Sequence, residues 1–133
     1  GEQTARYYLE KSNITSVIRY IPEYLRHVRH ETRRATICEI ESFLKRGALI
    51  GAEVDICILN HFPGFELHFV LLYDFDGKNF LLNDPGLPPA QGRKVTEKEF
   101  EKCFNFNGTN GGIVVFIKGF TRVDPPRRIN PCG

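Results

Sequence analysis

The stretch PGFELHFVLLYDFDGKNFLLNDPG, residues 63–86, decides the fold. Two β-rich runs, residues 65–73 and 79–83, flank Asp74-Phe75-Asp76-Gly77, and apolar runs around an Asp-Gly pair predict a β-hairpin. A two-residue loop at Asp76-Gly77 would set His68 opposite Pro85. A three-residue loop, Phe75-Asp76-Gly77 with Gly77 left-handed, pairs Asp74 with Lys78 instead. The second register is the one expected, because it sets opposite charges across the mouth of the loop. It lays Leu71 against Leu81, Phe69 against Asn83 and His68 against Asp84, the last pair on one face. An imidazole facing a carboxylate has its tautomer fixed and its cation favoured, as the base of a nucleophile–His–Asp triad requires. A strand-end histidine in a purely structural hydrogen bond fits the same pattern.

The motif His68-Phe69-Val70, then the hairpin with Asp76-Gly77, then Asn83-Asp84-Pro85 resembles the His and Asp motifs of C39-like, papain-fold cysteine peptidases. Upstream, IESFLKRGALIGAEVD (residues 40–55) resembles that family's helix, glycine turn and central strand. The likeness covers residues 35–118. It implies an α+β fold, papain-like, with N-terminal helices packed on a twisted antiparallel sheet. It also implies a thiol hydrolase acting on peptide or amide bonds, with His68 as general base and Asp84 as its orienter. By the same likeness the loop 60–64 borders the substrate groove, so His61, Phe62 and Glu66 are candidates for contact with a peptide or protein substrate.

The chain departs from the family at the nucleophile. The expected Cys-Gly, preceded by a Gln that helps form the oxyanion hole, is not found upstream; Gln3 has no such partner, and the first cysteine is Cys38. The chain starts with Gly and holds no Met, so it reads as a processed form or a piece lacking the N-terminal part of such a domain. As given, it is expected to be inactive. The alternative is a non-catalytic peptide- or protein-binding module on the same fold, since losing a thiol leaves a groove intact.

Cys38 is the rival nucleophile. Thr36-Ile37-Cys38-Glu39 fits a capping box, Thr36 at the N-cap and Glu39 three residues on. This puts Cys38 in a first turn, where free N–H groups and the helix dipole lower a thiol pKa. A small apolar filler occupies such a position equally well. Cys38, Cys57, Cys103 and Cys132 form no C-x-x-C pair and no zinc spacing. Two disulfides in a secreted chain and buried thiols in a reducing compartment both fit, and the cytoplasm is the compartment slightly favoured.

The remaining sequence bounds the classes of function. A chain of 133 residues with 41% apolar and 26% charged residues suits one globular domain, expected over 1–120, with an extended tail over 121–133. Residues 1–47 hold nine Lys/Arg against six Asp/Glu and the rest nine against ten, too mild an asymmetry to imply nucleic acid. No run of apolar residues is long enough for a membrane span. No cofactor motif or metal-ligand spacing stands out, His27 and His30 lacking further ligands.

Ile14, Val17, Ile18, Ile21, Leu25 and Val28 recur at helical spacing and form an apolar stripe. Ser12 or Asn13 caps this helix, and Pro22 either kinks it or opens a second one. Its other face carries Arg19, Arg26, Arg29, Arg33 and Arg34. Residues 48–59 read as a central strand, with Glu53 and Asp55 to one side, facing solvent by preference or else lining a cleft. Residues 86–92 read as an irregular loop, 97–104 as a helix capped by Thr96 with Phe100, Cys103 and Phe104 inward, and 113–118 as a last strand buried on both faces. If the N-terminal helix fails to cover the sheet, an apolar face is left for self-association.

Overall fold

The computed structural model describes residues 2–118. They fall into two units, 2–32 and 33–118, where the sequence suggested one domain. The tail expected over 121–133 lies outside the described residues.

The first unit is helical: α1 (Glu2–Lys11), α2 (Ile14–Val17), a 3₁₀ turn (Ile18–Tyr20) and α3 (Ile21–His27). Asn13 ends the break after α1. Its side-chain oxygen accepts from Ser16 N at 3.3 Å and Thr15 Oγ1 at 2.8 Å, occupying donors that the start of α2 leaves free. Pro22 lies in the first turn of α3, where its missing N–H removes no hydrogen bond, so it opens a new helix rather than kinking a long one. This segmentation defeats the expected stripe. Val17, Ile18, Ile21 and Leu25 no longer share one helical cylinder, and all four are exposed.

The second unit is α+β. In order it comprises α4 (Ile37–Lys45), β1 (Leu49–Asp55), the single turn α5 (Ile56–Leu59), β2 (Leu67–Phe75), β3 (Asn79–Asp84), β4 (Ala90–Thr96), α6 (Glu97–Phe104), the short β5 (Asn105–Phe106) and β6 (Thr109–Asn110), and β7 (Ile113–Phe116). Five strands form one sheet in the order β4-β3-β2-β1-β7, each neighbour antiparallel.

In this unit α4 and α6 start with the capping boxes their sequences encode. Glu39 N donates to Thr36 Oγ1 at 3.2 Å while Thr36 N donates to Glu39 Oε2 at 2.9 Å, and Thr96 and Glu99 repeat the exchange at 3.2 and 3.0 Å. Arg33 adds two further contacts to the Glu39 carboxylate, at 3.0 and 2.7 Å.

One face of the sheet carries the core. Ile50, Ala52 and Val54 of β1, Val70 and Leu72 of β2, Phe80 and Leu82 of β3 and Val95 of β4 pack with Ile40 and Leu44 of α4 and Phe100, Cys103 and Phe104 of α6. Phe75, Phe80, Phe100 and Phe104 form a chain of ring contacts with centroids 4.7, 4.6 and 5.4 Å apart. Truncating a ring buried in this way costs about 3–5 kcal/mol, so α6 is fixed on β3 by its aromatics. The opposite face exposes Leu49, Phe69, Val114 and Phe116.

Several elements differ from the sequence expectation. The strand expected over 48–59 ends at Asp55, because the Asp55 side chain accepts Cys57 N at 3.0 Å and starts α5. Glu53 and Asp55, expected in solvent, are buried. Glu53 lies under a glycine turn: Gly112 N donates to Glu53 Oε2 at 3.1 Å, and a Cβ on Gly111 would meet Glu53 O at 2.0 Å. The last strand, read as buried on both faces, is an edge strand with Val114 and Phe116 exposed. Strand β4, Ala90–Thr96, begins within the loop expected over 86–92.

The hairpin register also shifts. Leu71 pairs with Asn83 and Leu72 with Leu82, two residues from the pairing expected, and an extra residue at Tyr73 resets the ladder to Asp74–Leu81 and Phe75–Phe80. The turn explains the shift. Asp76 Oδ1 accepts Lys78 N at 3.0 Å and Asn79 N at 2.7 Å, so the loop is built around the Asp76 carboxylate and reaches past Lys78.

Candidate functional site

A slip of two residues keeps side-chain alternation, so His68 and Asp84 still share the core face despite the altered register. The ladder, continued by one residue from Leu71–Asn83, sets Asp84 across from Val70, one diagonal step from His68. The two side chains meet at the end of the sheet. His68 Nε2 lies 2.6 Å from Asp84 Oδ1, with side-chain exposures of 26% and 8%.

The same carboxylate oxygen accepts Gly86 N at 2.8 Å. Gly86 is needed here: an added Cβ would lie 2.9 Å from Asp84 Oδ1 and 3.3 Å from His68 Nε2 and Cε1. Pro85 ends the strand, and the chain folds back so that its amide, not a side chain, presses on the pair. The sequence reading overlooked Gly86; the signal was the Pro-Gly turn directly after Asp84.

An ionised carboxylate only accepts, so the neutral ring carries its proton on Nε2 and leaves the Nδ1 lone pair free. Nδ1 has no hydrogen-bond partner among the described residues. The ring is thus held in one orientation by Asp84 and remains partly open to solvent.

The cysteines do not complete this pair. Cys38 is disulfide-bonded, so it has no thiolate to offer; this removes it as the candidate nucleophile despite its place in the first turn of α4. Cys57 and Cys103 are free thiols. Burial, then the charges of Asp55 and Glu66, push the Cys57 pKa up, and burial pushes Cys103 up to about 12. In both, desolvation is the leading cause and disfavours the thiolate.

The other candidates lie apart from the pair. Glu66 is exposed, with its backbone bonded to Asp55 and Ile56. His61 and Phe62 line a recess of about 440 Å³ together with Cys57, Ile58, Leu59, Arg93, Lys94, Val95, Glu99 and Lys102, which includes neither His68 nor Asp84. Arg93 and Lys94 were not picked out from the sequence, because β4 was not recognised as a strand, nor was Lys102, which lies on the helix that was. Among the described residues no three His, Cys, Asp or Glu side chains converge as metal ligands, and no helix is long and apolar enough to cross a membrane.

Comparison with protein-family models, curated proteins and solved structures finds no match to this chain.

Proposed function

We propose that residues 33–118 form the base-and-orienter part of a C39-like, papain-type thiol hydrolase acting on peptide or amide bonds. The observation that carries this reading is the 2.6 Å contact between His68 Nε2 and Asp84 Oδ1, with Nδ1 left open. In this reading Nδ1 removes the proton of a thiol about 3 Å away, and the ring later returns it to the leaving amine. Asp84 holds the ring in the productive tautomer and stabilises its cation. In this reading none of Cys38, Cys57 and Cys103 supplies that thiol, so residues 33–118 by themselves are expected to lack peptidase activity. The disulfide at Cys38 supports an oxidising compartment rather than the cytoplasm first favoured.

The test supplies the thiol from solution. With a simple aryl ester and an added small thiol, the chain should accelerate thiolysis, and His68→Ala and Asp84→Asn should each abolish most of that acceleration. Equal rates for the three proteins would remove the base role.

A second reading, a peptide- or protein-binding module without chemistry, is favoured by the state of the cysteines: one oxidised and two with raised pKa values. It predicts that peptide binding, followed by calorimetry, is unchanged in His68→Ala.

A further inference from the structure

The recess beside α5 is built in a way that core packing does not require. α5 ends in a Schellman motif: Phe62 N donates to Cys57 O at 2.8 Å and His61 N to Ile58 O at 3.2 Å. The residue after the C-cap in this motif must be left-handed and is usually Gly. Here it is His61, at φ 58°. A side chain therefore stands at the mouth of the recess at a cost in backbone strain. Phe62, next to it, is 68% exposed, and Ile58 is also exposed.

The opposite wall is cationic. The Arg93 guanidinium is held by two neutral acceptors, Asn60 Oδ1 and Leu59 O, both at 2.6 Å, which position the group without cancelling its charge. Lys102 has no bonded partner among the described residues. Lys94 reaches instead to Asp76 Oδ2 at 3.5 Å, so it contributes its stem more than its charge. The one carboxylate in the lining, Glu99, is anchored at the start of α6, where its Oε2 accepts from Thr96 N and Oγ1; those bonds, with the nearby charges of His61 and Arg93, hold it ionised beside the cationic wall. The recess thus pairs a fixed cation and a free one with an exposed ring, in a volume suited to a small molecule.

We propose that this recess binds a small organic anion, its oxyanion head between Arg93 and Lys102 and its apolar body against Phe62 and Ile58. The site is separate from the His68–Asp84 pair and does not depend on the hydrolase reading.

The test is an amide NMR titration of the whole chain with phenyl phosphate, alongside phenol and inorganic phosphate. Phenyl phosphate should give saturable shifts at residues 57–62 and 93–102, with phenol and phosphate each binding more weakly. Lys102→Gln should weaken phenyl phosphate about tenfold, the loss expected of one charge-assisted contact. His61→Gly keeps the fold and relieves the left-handed strain, so it should raise the urea midpoint yet weaken binding; Phe62→Ala should weaken binding with the urea midpoint unchanged. No saturation, equal binding of phenol or of inorganic phosphate, or unchanged affinity in all three variants would each overturn the proposal.

Discussion

His68 and Asp84 are joined through Nε2 and Oδ1 at 2.6 Å although the two residues are not directly opposed on their strands. The pair is diagonal, and the backbone N–H of Gly86 donates to the same oxygen at 2.8 Å. Because the carboxylate accepts and cannot donate, the neutral His68 ring should be the Nε2–H tautomer. Long-range ¹H–¹⁵N spectra of the imidazole at high pH will show a protonated Nε2 and a bare Nδ1. In Asp84→Asn the amide can donate, and the two tautomers should mix. A predominant Nδ1–H form in the unmodified chain would contradict the pairing.

Gly86→Ala should disturb the pair without touching either member. Its φ is not left-handed, so the effect is one of space: a Cβ 2.9 Å from Asp84 Oδ1 forces the turn or the carboxylate to move. A loss of about 1–3 kcal/mol in urea unfolding is expected. The imidazole signals of His68 should shift as well, which a mere loop change elsewhere would not produce.

The three cysteines within the described residues should separate by reactivity. Near pH 8.5, where a free thiol is about half ionised, iodoacetamide should leave Cys103 untouched in the folded chain, because burial holds its pKa near about 12. Cys57 should label more slowly than a free thiol. Cys38 should label only after reduction. Mass spectrometry of digests reads all three, and fast labelling of Cys38 without reductant would restore it as a candidate nucleophile.

Asp76 gives the hairpin turn an acid dependence. Bonds to its carboxylate from the Asn79 backbone, then the Asn79 side chain and the Lys78 backbone, lower its pKa from 3.8 to about 2. A folded-state pKa below the unfolded one stabilises the turn at higher pH, and that contribution is lost as pH falls from about 3.8 through about 2. The Asp76 side-chain carbon should titrate with a midpoint near the lower value. Amide exchange at Lys78 and Asn79 should quicken over the same window, and Asp76→Ala should show the quick exchange at neutral pH.

What the sequence determined by itself was local. The capping boxes at Thr36 and Thr96 and the helical spacing that sets Phe100, Cys103 and Phe104 on one face rest on residues one to four apart, which a linear reading contains, whereas the choice of Asn13 over Ser12 as cap and of a new helix over a kink at Pro22 was made by the structure. That His68 and Asp84 share a face was also legible, because any even slip of a strand preserves its alternation. The tertiary structure decided what depends on distant partners. Asp76 captured its own turn and moved the register, β4 became a strand only by pairing with β3, and Glu53 was buried by a glycine turn far along the chain. Arg93 joined a recess only because α5 supplied acceptors for it. Such contacts are selected by the packing of whole elements, and no spacing within one segment records them.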